Sequence, residues 1–129
     1  MEPTFVNWSN HPYETWDSSQ LTKAKEYGQL VFIPFPDVPP DSSTVEIILL
    51  AMSLVDDFVK KYPDTEQVVT MIQGEMTLLY HLLKLLESKG YRVVAATSKR
   101  DTQILPDGRE LKSFKFSGFR DYFPTTPNP

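Results

Sequence analysis

Residues 68–77 read Val-Val-Thr-Met-Ile-Gln-Gly-Glu-Met-Thr, and the fold turns on them. Val68 to Ile72 is a short, mostly β-favouring run. Gln73-Gly74 interrupts it, and a helical pattern follows. Leu78, Leu79, Leu82, Leu83, Leu85 and Leu86 recur at three- and four-residue spacing, which predicts a helix with a wide buried face. Gly90 stands where a helix-ending glycine belongs. A second apolar run, Val93 to Ala96, comes next. The three segments make a β-α-β unit, because parallel strands covered on both faces carry continuous apolar runs. Open α/β sheets bind ligands beyond the carboxyl ends of their strands. That rule directs attention to Gln73-Gly74-Glu75-Met76-Thr77 and to Thr97-Ser98-Lys99-Arg100.

Upstream, the same alternation repeats. Thr4 to Trp8 predicts a first strand, ended at Ser9-Asn10-His11-Pro12 because proline disfavours the helical region at the residue before it. Asp17-Ser18-Ser19-Gln20 can cap a helix running to about Tyr27, where Gly28 stops it. Leu30 to Ile33 predicts a second strand. Ser43 with Glu46 has capping-box spacing at the head of a helix reaching about Tyr62. Downstream, Thr102 to Leu105 and Glu110 to Phe116 predict a hairpin around a positive-φ Asp107-Gly108 turn. The expected fold is a Rossmann-like α/β sheet of parallel strands flanked by helices, with a C-terminal hairpin at one edge. Residues 1–123 are expected to form a single domain and residues 124–129 a proline-containing flexible tail.

The 129 residues suffice for one core. A net charge of −4 argues against a broad surface for duplex nucleic acid. No membrane span or signal peptide is read, so a cytoplasmic location is expected. There is no cysteine, no G-x-G-x-x-G, no P-loop and no metal-ligand spacing, so neither a metal nor another cofactor is expected.

Three positions carry candidate chemistry. Asn10-His11 leaves the first strand at the ligand-bearing end, where an imidazole can give or take a proton near neutral pH, or simply make turn hydrogen bonds. Gly74 permits close backbone approach, and the helix opening after it offers N–H groups to an anion. Glu75 would repel a phosphate there and can cap the helix instead. Thr97-Ser98-Lys99-Arg100 places two hydroxyls and two cations together, suited to phosphate oxygens, although adjacent charges are usually just solvated. His81 reads as a hydrogen-bonded or interface histidine. Trp8, Tyr13, Trp16 and Phe35 suit either a ligand crevice or the core, and Phe114, Phe116 and Phe119 read as core residues of the edge strands.

One ordered series runs through nearly the whole chain: Asn10-His11, Gln20, Gln73-Gly74-Glu75, Ala96-Thr97-Ser98-x-Arg100, Pro106-Asp107-Gly108 and Phe119-Arg120-x-Tyr122. It resembles the small stand-alone CARF-like proteins encoded beside type III CRISPR systems, which are similar to ring nucleases. The resemblance implies binding of a cyclic oligoadenylate messenger, most simply cyclic tetra-adenylate, by a two-fold homodimer. It also implies metal-independent cleavage, in which the ribose 2′-hydroxyl attacks its own 3′-phosphate and antiviral signalling is switched off. His11 would act as acid or base, with Lys99 and Arg100 stabilising charge. Gln73, Thr97 and Ser98 would position the ligand, and Asn10, Gly74, Glu75, Met76 and Thr77 would contact it. The alternatives are a non-catalytic binder that sequesters the messenger, and a regulatory α/β module with a protein partner.

Overall fold

The structure, a computed structural model, describes residues 2–124. The elements in chain order are β1 (Thr4–Ser9), α1 (Ser18–Tyr27), β2 (Gln29–Pro34), α2 (Thr44–Lys61), β3 (Val68–Ile72), α3 (Met76–Ser88), β4 (Arg92–Ile104) and β5 (Glu110–Asp121). The sheet order is β2-β1-β3-β4-β5. The first four strands run parallel, and β5 lies antiparallel on β4 at the edge. The expected α/β class, its helices and its edge hairpin are therefore present.

β1 is buried along its whole length, because it is paired on both sides and covered on both faces. Its alternating side chains divide the core. Val6 and Trp8 face α2 and α3, together with Ile72 and Val93. Phe5 faces α1, with Met71, Val94 and Phe119. The leucine spacing of α3 works as expected. Leu78, Leu82 and Leu86 have no exposed surface, each a gain of about 1.5–3 kcal/mol on burial. On α2 the inward residues are Ile47, Ala51, Val55 and Phe58, and Phe58 stacks on Trp8 at 5.4 Å between ring centres.

The carboxyl side of β4 departs from expectation. A short strand followed by a separate hairpin was predicted, but β4 is one strand of 13 residues. Thr97-Ser98-Lys99-Arg100 contains no glycine or proline to end it, and β5 supplies a backbone partner throughout. β3 pairs only with Arg92 to Val94. From Ala95 onward β4 has β5 as its only strand neighbour, so the pair forms a two-stranded arm beyond the sheet. A bulge kinks this arm, since Thr97 pairs with Gly118 but Ser98 pairs with Phe116. At its tip the turn differs from the predicted one. Gly108 alone is at positive φ (84°) and Asp107 is not, which makes a longer loop closed by the Leu105 N–H on the Arg109 carbonyl. After Pro124 the expected tail lies outside the described residues.

Leu82→Ala should cost about 2–5 kcal/mol, as deleting a fully enclosed leucine does. Leu49→Ala, on the outer face of α2 and 58% exposed, should stay within about 0.5 kcal/mol of wild type. Urea unfolding of the two variants measures both.

Candidate functional site

β1 leads to β2 on one side, while β3 lies on the other, so the strand order reverses between β1 and β3. The ends of those two strands flank the place where α/β sheets hold ligands. The loop leaving β1 is fixed there by a buried polar network. Asn7 and Ser9 have no exposed surface, although both are polar. Asn7 Nδ2 donates to the His11 carbonyl at 2.8 Å, and its Oδ1 accepts from Ser9 Oγ at 2.6 Å. Ser9 Oγ accepts the His11 N–H at 3.0 Å, and Trp16 Nε1 donates to the same His11 carbonyl at 2.9 Å. Both backbone groups of His11 are thus held from inside the fold, while the residue itself is exposed. Tyr13 braces the following turn by donating to the Val31 carbonyl at 2.9 Å, and burial pushes its hydroxyl pKa well up.

A cleft of about 530 Å³ opens beside His11 on the α1 side of the sheet. Its floor is Met71, with Gln73 at the end of β3. One wall is Thr15, Trp16, Asp17 and Gln20 from the head of α1. The other is the arm: Ala96, Thr97 and Ser98 of β4, with Phe114 and Phe116 of β5. Four of the residues singled out in the sequence, His11, Gln73, Thr97 and Ser98, therefore share one concavity, and Trp16 joins them. Phe114 and Phe116 were expected in the core. They line the cleft instead, with Phe114 71% exposed, because the arm extends past the helices that would have covered them. Only Phe119 of the three reaches the core on the α1 face. The chemistry on offer is amides, hydroxyls, an imidazole, aromatic faces and one carboxylate. No Lys or Arg lines the cleft. Such a lining suits a flat, neutral, hydrogen-bonding group better than a phosphate.

The remaining predicted residues lie elsewhere. Gly74 is a glycine because Phe35 packs over it, and a Cβ would collide with that ring. Glu75 caps α3: the N–H groups of Thr77 and Leu78 donate to its carboxylate at 3.0 and 2.8 Å, as does the Thr77 hydroxyl at 2.7 Å. The hydroxyl foremost, with these N–H groups, holds the Glu75 carboxyl below its usual pKa. The head of α3 is thus filled by the chain's own anion. Glu75, Met76 and Thr77 line a different cleft of about 470 Å³, with Pro39, Pro40, Tyr80 and His81 on the α2 and α3 side. Asn10 is exposed and lines neither cleft. Trp8 and Phe35 are core residues.

The basic pair is split. Thr97 to Arg100 lies within β4 rather than in a loop at its end, and from Ser98, past the bulge, successive side chains point to opposite faces. Arg100 pairs with Phe114 and shares the face of Ser98 and Phe116. Lys99 pairs with Lys115 on the other face. Neither lines either cleft. Among the described residues, no three His, Cys, Asp or Glu side chains gather as a metal site, and no helix is long and apolar enough to cross a membrane.

Residues 3–120 match the model of a family described as the Uncharacterized protein MJ1673 family. The chain belongs to that family. The region shared with the MJ1673 family takes in every cleft residue and both strands of the arm as far as Arg120. No curated protein and no solved structure matches the chain.

Asn7→Ala should leave Ser9 Oγ and the His11 carbonyl each short of a partner and cost about 1–3 kcal/mol. Faster amide exchange confined to residues 9–13 would place the damage in this loop. A second expectation concerns acid. Asp17 at the head of α1 is held below its usual pKa, chiefly by the Ser19 hydroxyl and then by the Gln20 N–H, and Glu75 is depressed likewise. Their contribution is complete above the unfolded value of about 4 and fades as pH falls through the folded value. The urea midpoint should drop on acidification below about pH 4, and the drop should be shallower in Glu75→Gln.

Proposed function

We propose that the cleft beside His11 receives one adenylate unit of a cyclic oligoadenylate, and that the protein cleaves this messenger. The observation that carries the reading is the convergence of His11, Gln20, Gln73, Thr97 and Ser98 with Trp16, Phe114 and Phe116 at the carboxyl edge of the sheet. Amides can read the edge of a base, and aromatic rings can stack on its face. The ordered likeness to CARF-like proteins beside type III CRISPR systems supplies the ligand class. A cleft of about 530 Å³ lies in the range of small-molecule sites and is sized for one nucleotide-like unit. A four-membered ring therefore needs more than one such cleft, which calls for a homodimer with the ring on its two-fold axis. Such a messenger is made inside the cell, so the proposal carries a cytoplasmic location with it.

The phosphates fall to Arg100, which stands on the cleft's face of the arm beside Phe114. Lys99 faces away and is given no part in neutralising the ligand. The reaction is transesterification: the 2′-oxygen bonds to its own 3′-phosphorus, the P–O5′ bond breaks, and a 2′,3′-cyclic phosphate and a 5′-hydroxyl result. His11 takes the proton from the 2′-hydroxyl while water protonates the leaving O5′, or delivers a proton to O5′ while water takes the one from the 2′-hydroxyl. The hydrogen bonds on its carbonyl and N–H keep its loop in place for that task, which is positioning rather than bond making.

Cyclic tetra-adenylate at about a hundred times its dissociation constant should stabilise the protein by about 2.7 kcal/mol, seen as a rise in Tm. Calorimetry should give one ring per pair of chains. His11→Ala should keep the affinity and lose about 10²–10⁴ in turnover. Arg100→Ala should bind more weakly, most visibly at low salt. No thermal shift with the ligand near about 1 mM would overturn the ligand assignment. A tight complex from which intact ring is recovered would leave a binder that sequesters the messenger.

A further inference from the structure

The arm runs on past the cleft, and the face it shares with the cleft is ordered. Three successive rungs of that face are Ser98–Phe116, Arg100–Phe114 and Thr102–Lys112. Ser98, Phe116 and Phe114 line the cleft, whereas Arg100 and Lys112 lie outside it. Same-face rungs follow each other at about 6.8 Å along a strand. Two aromatic rings on β5 are thus followed by a lysine on the same strand, with an arginine across from the second ring. Arg100 and Lys112 are diagonal neighbours, about 7–8 Å apart and within reach of a common ligand.

The two rings differ in support. Phe116 packs on Phe119 at 5.0 Å between ring centres, whereas Phe114 is 71% exposed. The two cations are both open to an anion. Arg100 has no ion-pair partner among the described residues, and Lys112 has Glu110 at 4.0 Å in an exposed pair. Such a pair contributes little, so a phosphate can take the place of the carboxylate. Glu110 occupies the next rung and ends the cationic track with a negative charge. The opposite face of the arm has no comparable order. It sets Lys99 against Lys115, Asp101 against Ser113 and Gln103 against Leu111, with no ring on those rungs.

We propose that this track is a second nucleotide subsite. The base next to the one in the cleft stacks on Phe114, and the phosphates on either side of it meet Arg100 and Lys112. This subsite rests on the cyclic-oligoadenylate reading of the cleft and extends it. A four-membered ring shared by two chains leaves two units to each chain, and a cleft of about 530 Å³ takes one of them. The other unit needs a surface continuous with the cleft that offers a stacking face and cations. No Lys or Arg lines the cleft, so the phosphates leaving it run onto the arm. The unit each chain recognises is then a dinucleotide, with its ends joined in a ring or free.

Calorimetry on the full chain tests this with three probes: cyclic tetra-adenylate, 5′-phosphorylated linear di-adenylate and adenosine 5′-monophosphate. The linear dinucleotide should bind about tenfold or more tighter than the monophosphate, the factor that one stacked base supplies. Phe114→Ala should weaken ring and dinucleotide by about tenfold. Lys112→Ala should weaken both, most at low salt, and leave the monophosphate unchanged. Lys99→Ala removes the same charge from the other face and should bind all three probes as wild type does. Both Phe114 and Lys112 are exposed, so far-UV circular dichroism should not change. Ring binding indifferent to Phe114→Ala or to Lys112→Ala would overturn the subsite and leave the cleft reading standing. So would a Lys99→Ala loss as large as that of Lys112→Ala. Dinucleotide binding that depends on Phe114 and Lys112, without ring binding, would keep the subsite and remove the ring. No binding of any probe near about 1 mM would end both readings.

Discussion

The hydrogen bond from the Asn7 amide to the His11 carbonyl ties the middle of the sheet to the loop that carries the one imidazole beside the cleft. Asn7 sits in a strand paired on both sides, at a position where an apolar residue would pack with no polar group to satisfy. A buried amide costs stability unless its donors and acceptor find partners. Here they find Ser9 and a backbone carbonyl five residues from Trp16, whose indole closes on the same oxygen. The core thereby specifies one course for a loop that would otherwise be free to wander. Everything placed by that loop inherits its rigidity: the 3-10 turn at Tyr13–Thr15, the head of α1, and one wall of the cleft.

The opposite wall is built on a different principle. β3 ends at Ile72, but β4 runs on to Ile104 with β5 beside it. Past the helices a strand pair has no core of its own, so residues such as Phe114 that would be interior elsewhere become surface. This is how aromatic rings come to border a polar cleft. The same overhang separates neighbouring cations. Lys99 and Arg100 would have met one ligand had they lain in a loop. Strand geometry sends one toward the cleft's face and the other away from it.

Much of the fold could be read from periodicity. The leucines of α3, the Ser43–Glu46 capping box and the Val68–Ile72 strand are local patterns, and local hydrogen bonds and one buried face are enough to fix them. The site was legible in part. His11, Gln73, Thr97 and Ser98 follow or continue parallel strands, and the carboxyl-edge rule gathers them. What escaped were facts of tertiary origin. Nothing local distinguishes a strand that stops at Ala96 from one that continues, because the decision lies with β5, which pairs from the far side of a turn. Gly74 looked like room for a ligand, and the room is taken by Phe35, nearly forty residues earlier in sequence. Asp17 and Gln20 carried a capping signal, Gln20 a ligand signal only as part of the ordered series, and Thr15 carried none. All three reach the cleft through the course of the loop set by Asn7.

The heads of the helices decide where an anion could be received. α1 is capped by the Asp17 carboxylate, α2 by Ser43 with Glu46, and α3 by Glu75. In each case the N–H groups that make a helix start attractive to phosphate already point at the chain's own oxygen. A phosphate arriving there would have to displace a carboxylate and then sit beside its charge. The three helix heads are therefore closed to an outside anion, and any positive charge offered to a ligand in the cleft has to come from side chains instead. Within the arm those side chains are six cations against three carboxylates, on a protein whose total charge is −4. Of these cations, Arg100 is the one that combines the cleft's face with freedom from an ion pair among the described residues. Any ligand held here by its charge is consequently held by the arm, and any ligand held by its shape is held between the arm and the loop that Asn7 fixes.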